Sequence, residues 1–256
     1  MILTDTHTHL YAQEFNEDRT AVVQECINNE ITRFFLPNID KSSVSGMLAL
    51  TNEFPENCFP MIGIHPCSVN KNWQQELEEY KDLLSTHKMY AIGEIGIDLY
   101  WDKSTLDIQQ QAFEAQILLA KKEKLPIVIH AREAFDEIFE ILDKHNDDQL
   151  RGIFHCFTGN TSQAKKILNY DGFKIGIGGV VTFKNSGLDK VVKNLSLTDL
   201  VLETDSPYLA PHPHRGKRNN STYLTLIAQK VADIFEVEIE KVAEITTKNS
   251  KTVFGI

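Results

Sequence analysis

The chain predicts an α/β fold of one domain, a closed TIM (β/α)8 barrel over residues 1–256. Three observations carry this expectation. Apolar, β-rich runs alternate with longer segments of helical periodicity, which implies βαβ units and a parallel sheet. Eight such units fit in the 256 residues, a usual length for one α/β barrel. Several runs also close on a histidine or a carboxylate: His7 and His9 in LTDTHTHL, Glu94 in YAIGEIG, His130 in LPIVIH, His155 in GIFHC and Asp205 in LVLETD. Strands ending this way around a closed sheet aim those side chains at one point.

Strands are expected near 2–6, 32–37, 59–64, 90–94, 126–130, 152–156, 173–178 and 200–204. Helices are expected near 17–30, 42–53, 72–86, 104–123, 132–145, 161–170, 187–194, 220–235 and 239–250. The fifth strand is a continuous apolar run, the pattern of a strand buried on both faces. The seventh lies in glycine-rich FKIGIGGVVTF, where the backbone can bend close to a site. In 104–123, Leu106, Gln110, Phe113, Ile117 and Ala120 make one stripe; in 238–254, Ile239, Val242, Ala243, Thr246 and Val253 make another. Both stripes read as packing against the sheet. Ser206 to Asn219, with Pro207, Pro211, Pro213 and Gly216, is the longest irregular stretch. A doubly wound open sheet is the alternative use of the same elements.

Bulk properties exclude several classes. With 42% hydrophobic and 24% charged residues the chain is an ordinary globular one. No apolar stretch nears the roughly 20 residues that span a bilayer. The start MILTDTHTHL lacks the pattern of a signal peptide, so a cytoplasmic location is expected, with no membrane partner. Cys26, Cys58, Cys67 and Cys156 form no C-x-x-C pair and read as reduced thiols. Strand alternation points Cys156 away from its neighbour His155. A net charge of -10 argues against coating nucleic acid through bulk electrostatics, but not against a local basic site.

His7 and His9 are the strongest local signal. In a strand, residues i and i+2 share a face, so both imidazoles can grip one cation. Asp5 lies on the same face and could orient one of them. Glu94, inside an apolar run, is costly unless paired or cation-bound. Its two oxygens can bridge two metals; a buried salt bridge to Arg132 or Lys124 is the alternative. His130 and His155 singly read as core histidines, but together they face the same mouth as His7, His9 and Glu94. Asp205 falls at the rim, placed to bind a metal and to take a proton from a water activated by it. Glu203 lies one layer deeper, as a proton relay or a structural carboxylate. His65, closing GIHP, is expected on the substrate side. His87 and His145 read as surface residues.

Between Ser206 and Ala232 there is no acidic residue, while Arg215, Lys217, Arg218 and Lys230 bring four positive charges. His212 and His214 add latent charge. A basic island beside a metal mouth suits an anionic substrate, phosphate above all. Tyr100, Trp101, Phe157, Phe183 and Tyr208 lie just beyond strand ends and could stack on bases or simply pack.

These residues together resemble the TatD family of metal-dependent deoxyribonucleases. The resemblance runs through DTHTHL (5–10), GIHP (63–66), GEIGIDLYWD (93–102), IHAREAFDE (129–137), FHCFTGN (154–160) and LETDSPYLAPHPHRGKRN (202–219). It implies a TIM barrel with two divalent cations. His7, His9, Glu94 and Asp205 would hold one; Glu94, His130 and His155 would hold the other, sharing Glu94. It also implies magnesium-dependent, often exonucleolytic hydrolysis of DNA phosphodiesters. The chain departs from the family where Asn220-Ser221 replaces the frequent Glu-Pro after RGKRN.

The reading is thus a hydrolase of DNA phosphodiester bonds with two divalent cations and no organic cofactor, acting as a monomer on single strands or ends. Asp205, Glu94 and Glu203 carry the chemistry, while His65, Arg215, Lys217 and Arg218 meet the substrate. Magnesium or manganese suits the carboxylates; zinc or another transition metal suits the imidazoles. The first rival is an amidohydrolase-type phosphotriesterase, lactonase or amidase. Many of those bridge their metals with a modified lysine where this chain has Glu94. The second rival is a non-catalytic metal-binding scaffold, which need not keep Asp205.

Overall fold

In a computed structural model that describes residues 1–256, the apolar runs form eight strands and the amphipathic segments nine α-helices. The strands are β1 (Leu3–Asp5), β2 (Ile31–Pro37), β3 (Cys58–Met61), β4 (Ile92–Asp98), β5 (Ile127–Arg132), β6 (Gly152–Phe154), β7 (Phe173–Ile177) and β8 (Leu200–Leu202). The helices are α1 (Arg19–Asn28), α2 (Val44–Glu53), α3 (Trp73–Thr86), α4 (Leu106–Glu123), α5 (Phe135–His145), α6 (Thr161–Leu168), α7 (Leu188–Val192), α8 (Leu224–Phe235) and α9 (Ile239–Phe254). No helix is long and apolar enough to cross a membrane.

Every strand pair is parallel, in the orders β1-β2-β3 and β4 to β8. Two seams join these runs into the TIM barrel. Between β3 and β4, Ile62 N donates to Ala91 O (3.2 Å) and Gly93 N to Ile62 O (3.0 Å). Between β8 and β1, Thr6 N donates to Leu202 O (3.0 Å) and Asp205 N to His7 O (2.9 Å). Closure leaves no sheet edge unpaired.

The inside of the barrel is layered. Phe35, Val128, Ile153 and Val201 lie in one small buried cluster with Phe254 of α9. The Phe254 ring stacks on Phe35 at 3.6 Å, so the end of α9 floors the barrel. Two residues beyond Val128, Ile153 and Val201 come His130, His155 and Glu203, on the same inward face one layer higher. The outer faces of the strands and the helices share a cluster of 60 buried residues.

Two strands outrun the expected bounds. β4 continues past Glu94 to Asp98, and β5 past His130 to Arg132. The expected stripe of α4 holds at Phe113, Ile117 and Ala120 but widens towards Gln109, Ala112 and Gln116, while Leu106 and Gln110 are only half-buried. Gln109 and Gln116 are buried because they serve the ends of strands. Gln109 accepts from Asp98 N (2.8 Å), and Gln116 accepts from Ile64 N (2.7 Å).

Asp5 does not orient an imidazole. It is fully buried and accepts from Thr204 N (2.9 Å) and Thr204 Oγ1 (2.6 Å), stapling β1 to the chain leaving β8. Burial pushes its carboxyl up to about 7, against the pull of those hydrogen bonds. Asp5→Ala strands the Thr204 donors and is expected to cost about 2–4 kcal/mol in urea unfolding of the cation-free protein. Because the folded carboxyl titrates above its unfolded value, this contribution is full at low pH and fades as pH rises towards 7. The deficit should be larger at pH 5 than at pH 8; a deficit below about 0.5 kcal/mol at both would refute the staple.

Candidate metal centre

Glu94 sits at an irregularity in β4. Its neighbours Gly93 and Ile95 pair with consecutive residues Val128 and Ile129, so Glu94 is the extra residue of a bulge. Bulges re-aim a side chain, and this one turns the carboxylate into the barrel mouth. Gly96 is required just beyond: its φ is +140°, and a Cβ there would lie 2.1 Å from His130 O.

The buried carboxylate meets neither Arg132 nor Lys124. Its two oxygens instead divide four histidines. Oε2 lies 3.2 Å from His7 Nε2, whereas Oε1 lies 2.7 Å from His130 Nδ1, 3.0 Å from His155 Nε2 and 3.4 Å from His65 Nε2. Burial alone pushes this carboxyl up, but the fields of His155, His65 and His7 outweigh it and hold it well below the carboxylate range. Asp205 Oδ1 completes the ring, 3.5 Å from His9 Nε2 and 3.7 Å from His7 Nε2. Asp205 is also held low, its neighbouring histidines outweighing burial. Its φ of +57° turns the chain sharply at the rim.

Three donor groups are compact enough to hold a cation: His7, His9 and Glu94; His65, Glu94 and His130; and His7, His155 and Glu203. His65, expected to face substrate, thus stands within the donor set. The donors fit divalent cations on a direct observation. Both ring nitrogens of His7, His155 Nδ1 and Glu203 Oε2 are buried without a hydrogen-bond partner, although His7 Nε2 is close to Glu94. Buried polar atoms are rarely left so, and lone pairs converging with carboxylates are what a cation needs.

Supporting groups that sequence reasoning missed lie behind the donors. Asp98 accepts from His130 Nε2 (2.9 Å), so His130 can present Nδ1 inward. Despite burial, His130 and neighbouring donors pull the Asp98 carboxyl down to about 2. Its position four residues after Glu94 in GEIGID was the available signal. Tyr11 OH donates to Pro37 O (2.5 Å) and therefore accepts from His9 Nδ1 (2.8 Å). That fixes the His9 proton on Nδ1 and leaves the Nε2 lone pair towards Asp205. Glu203 is fully buried, 3.4 Å from His155 Nδ1, and accepts from Cys156 N. Gly176 makes room for it, since a Cβ there would lie 2.4 Å from Glu203 Oε2. Close approach, rather than the expected bend, explains that β7 glycine. Cys156 does line the cavity, contrary to strand alternation, because the chain leaves β6 and turns at its φ of +45°.

The donors open onto a cavity of about 680 Å3. None of Arg215, Lys217 and Arg218 lines it. Arg218 is committed elsewhere: it forms a two-pronged pair with Asp18 (2.6 and 2.8 Å), donates to Glu14 O and covers the Phe15 ring. It ties the loop to the start of α1. Arg215 lies over Phe183 at 4.6 Å. Asn220 and Ser221, the departure from the family pattern, are structural: Asn220 caps the short helix Ser221–Tyr223, and Ser221 Oγ joins a buried cluster with Thr8 and Ser206.

Asp98→Ala and Tyr11→Phe should each weaken divalent-cation binding by roughly 10- to 100-fold, because each frees a donor imidazole to rotate or change tautomer. Calorimetric titration checks this, with His145→Ala as control; His145 pairs with Glu114 at 2.6 Å, away from the site. Equal affinities in all three variants would contradict the assignment.

The sequence model for TatD related DNases matches residues 4–255. The chain is 37% identical over 256 residues to the metal-dependent hydrolase YabD of Bacillus subtilis, covering 100% of both chains. It is 31% identical to the metal-dependent hydrolase YcfH of Escherichia coli K12, covering 100% of this chain and 97% of that one. Its structure superposes on the TatD homologue YjjV of Escherichia coli with a TM-score of 0.93 at 27% identity, over 99% of this chain and 98% of the other. An organophosphorus hydrolase from Deinococcus radiodurans shares the fold alone, at a TM-score of 0.71 and 13% identity over 99% and 92% of the two chains. Donor set, barrel and whole-length similarity agree: the chain belongs to the TatD-related DNase family of metal-dependent hydrolases.

Proposed function

We propose that this protein is a deoxyribonuclease that hydrolyses DNA phosphodiesters, from the ends of single strands, with two divalent cations at the barrel mouth. The observation that carries the reading is Glu94, a buried carboxylate whose two oxygens each face imidazoles on opposite sides. His7, His9, Glu94 and Asp205 would hold one cation; Glu94, His130 and His155, with His65 beside them, would hold the other. When bound, such cations polarise the phosphodiester and lower the pKa of water; magnesium or manganese is the reading for function, with zinc or another transition metal able to occupy the same donors.

The chain's own residues then have separate tasks. Asp205, ionised at the rim, accepts the proton of the attacking water. Glu203 holds His155 from beneath and offers the proton a buried relay. His65 flanks Glu94 on the substrate side of the cavity. Arg215 and Lys217, exposed on the loop after β8, are left for phosphates farther along the strand. The four cysteines are all unpaired, which fits a reducing, cytoplasmic compartment. The protein acts as one domain and as a monomer, and no organic cofactor has a role in this scheme.

The test is hydrolysis of end-labelled single-stranded DNA with magnesium or manganese. Cleavage should need metal, fall by at least about 1,000-fold in Glu94→Ala and Asp205→Ala, and leave a ladder shortening from one end. Full activity in Asp205→Asn would remove Asp205 as base. No cleavage by the metal-loaded wild type would transfer the site to ester or amide hydrolysis.

A further inference from the structure

Trp101 is 72% exposed and Tyr100 50% exposed, at the mouth of the cavity just beyond β4. An indole left so far in water forgoes most of its burial energy, and exposed aromatic groups at a cavity rim mark contact surfaces. The two rings meet edge to face at 4.9 Å and 89°. Arg132, the last residue of β5, lays its guanidinium over Tyr100 at 3.7 Å and near Trp101 at 5.6 Å. That contact holds the cation in place without consuming its charge. Asp98, opposite Arg132 on β4, is paired with His130, and Arg132 makes no ion pair of its own. Arg132 is the only lysine or arginine that lines the cavity. It shares an inward face with His130, two residues earlier on the same strand.

The geometry points to a nucleotide subsite: Arg132 takes a phosphate next to the scissile one, and the free face of Trp101 stacks on the unpaired base that phosphate carries. The fit is to a single strand, because a paired base inside a duplex presents no open face to a ring. The subsite rests on the nuclease reading for its substrate. Tyr100 is the positioning residue, steering Arg132 while standing perpendicular to Trp101.

The test uses metal-loaded protein and a short phosphorothioate oligothymidylate, which resists cleavage, beside the same backbone without bases. Binding is followed by oligonucleotide anisotropy and by tryptophan fluorescence. The chain has two tryptophans, and Trp73 is buried in α3, so quenching reports Trp101. Trp101→Ala should weaken the base-bearing strand about tenfold or more and leave the abasic one unchanged. Trp101→Phe should abolish quenching yet keep most of the affinity. Arg132→Ala should weaken both strands alike and lower the salt slope by about one. Trp101→Ala that binds both strands as the wild type does overturns the stacking site. Arg132→Ala with unchanged salt slope overturns the phosphate contact. These results separate from failure of the nuclease reading: wild type that cleaves DNA beside an unaffected Trp101→Ala keeps the nuclease and removes the subsite. Base-dependent quenching without cleavage of any DNA does the reverse.

Discussion

One buried carboxylate organises this molecule. Glu94 is only 3% exposed, and an isolated anion so deep in an apolar strand is expensive. Its compensation comes from imidazoles on four other strand ends, each delivered by a different βαβ unit. Those imidazoles cannot all be satisfied by Glu94 alone, and several of their nitrogens have no other partner. With no cation, Glu94 is balanced by imidazoles that hold their protons, and His155 is raised well above the usual imidazole range by Glu94 and Glu203 despite burial; a divalent cation would replace those protons and take the ring nitrogens as donors. That is why the buried network makes physical sense as a metal centre and little sense as a structural salt bridge.

The rest of the fold serves that placement. The barrel must close for His7 and Asp205 to share a rim, and Asp5 holds that seam by binding the Thr204 backbone and hydroxyl. The floor of Phe35, Val128, Ile153, Val201 and Phe254 sets the depth at which the donors stand. Asp98 and Tyr11 fix imidazoles from behind, so the donors are ordered before any ligand arrives. The wall carrying Arg132 is then free to meet substrate, because its guanidinium is braced by a ring rather than by an acid.

Much of this was legible in the sequence. Period-2 and period-3.6 patterning gave the order of strands and helices, and the histidines and acids closing apolar runs marked the mouth. What patterning could not show was local geometry. The Glu94 bulge shifts the pairing register of β4 against β5, which no alternation rule reveals, although period 2 alone puts Asp98 on the face of Glu94. A left-handed turn puts Cys156 into the cavity that alternation denied it. The burial of Gln116 depends on the backbone of Ile64, 52 residues away, and that of Gln109 on the end of β4. Charge counts likewise do not reveal that Asp18, 200 residues earlier in the chain, pairs with Arg218. Arg132 stood out in the sequence only as a candidate partner for Glu94 and as part of IHAREAFDE, not as a residue facing substrate.

In the proposed centre Glu94 would join two cation sites. Metal content per chain, measured after dialysis against manganese, tests it most directly in the wild type and in Glu94→Gln, which keeps the shape and removes the charge. A carboxylate shared between two sites gives two cations per chain in the wild type and loss of both, or of all but a weakly held one, in the variant. Equal metal content and affinity in the two proteins would contradict it.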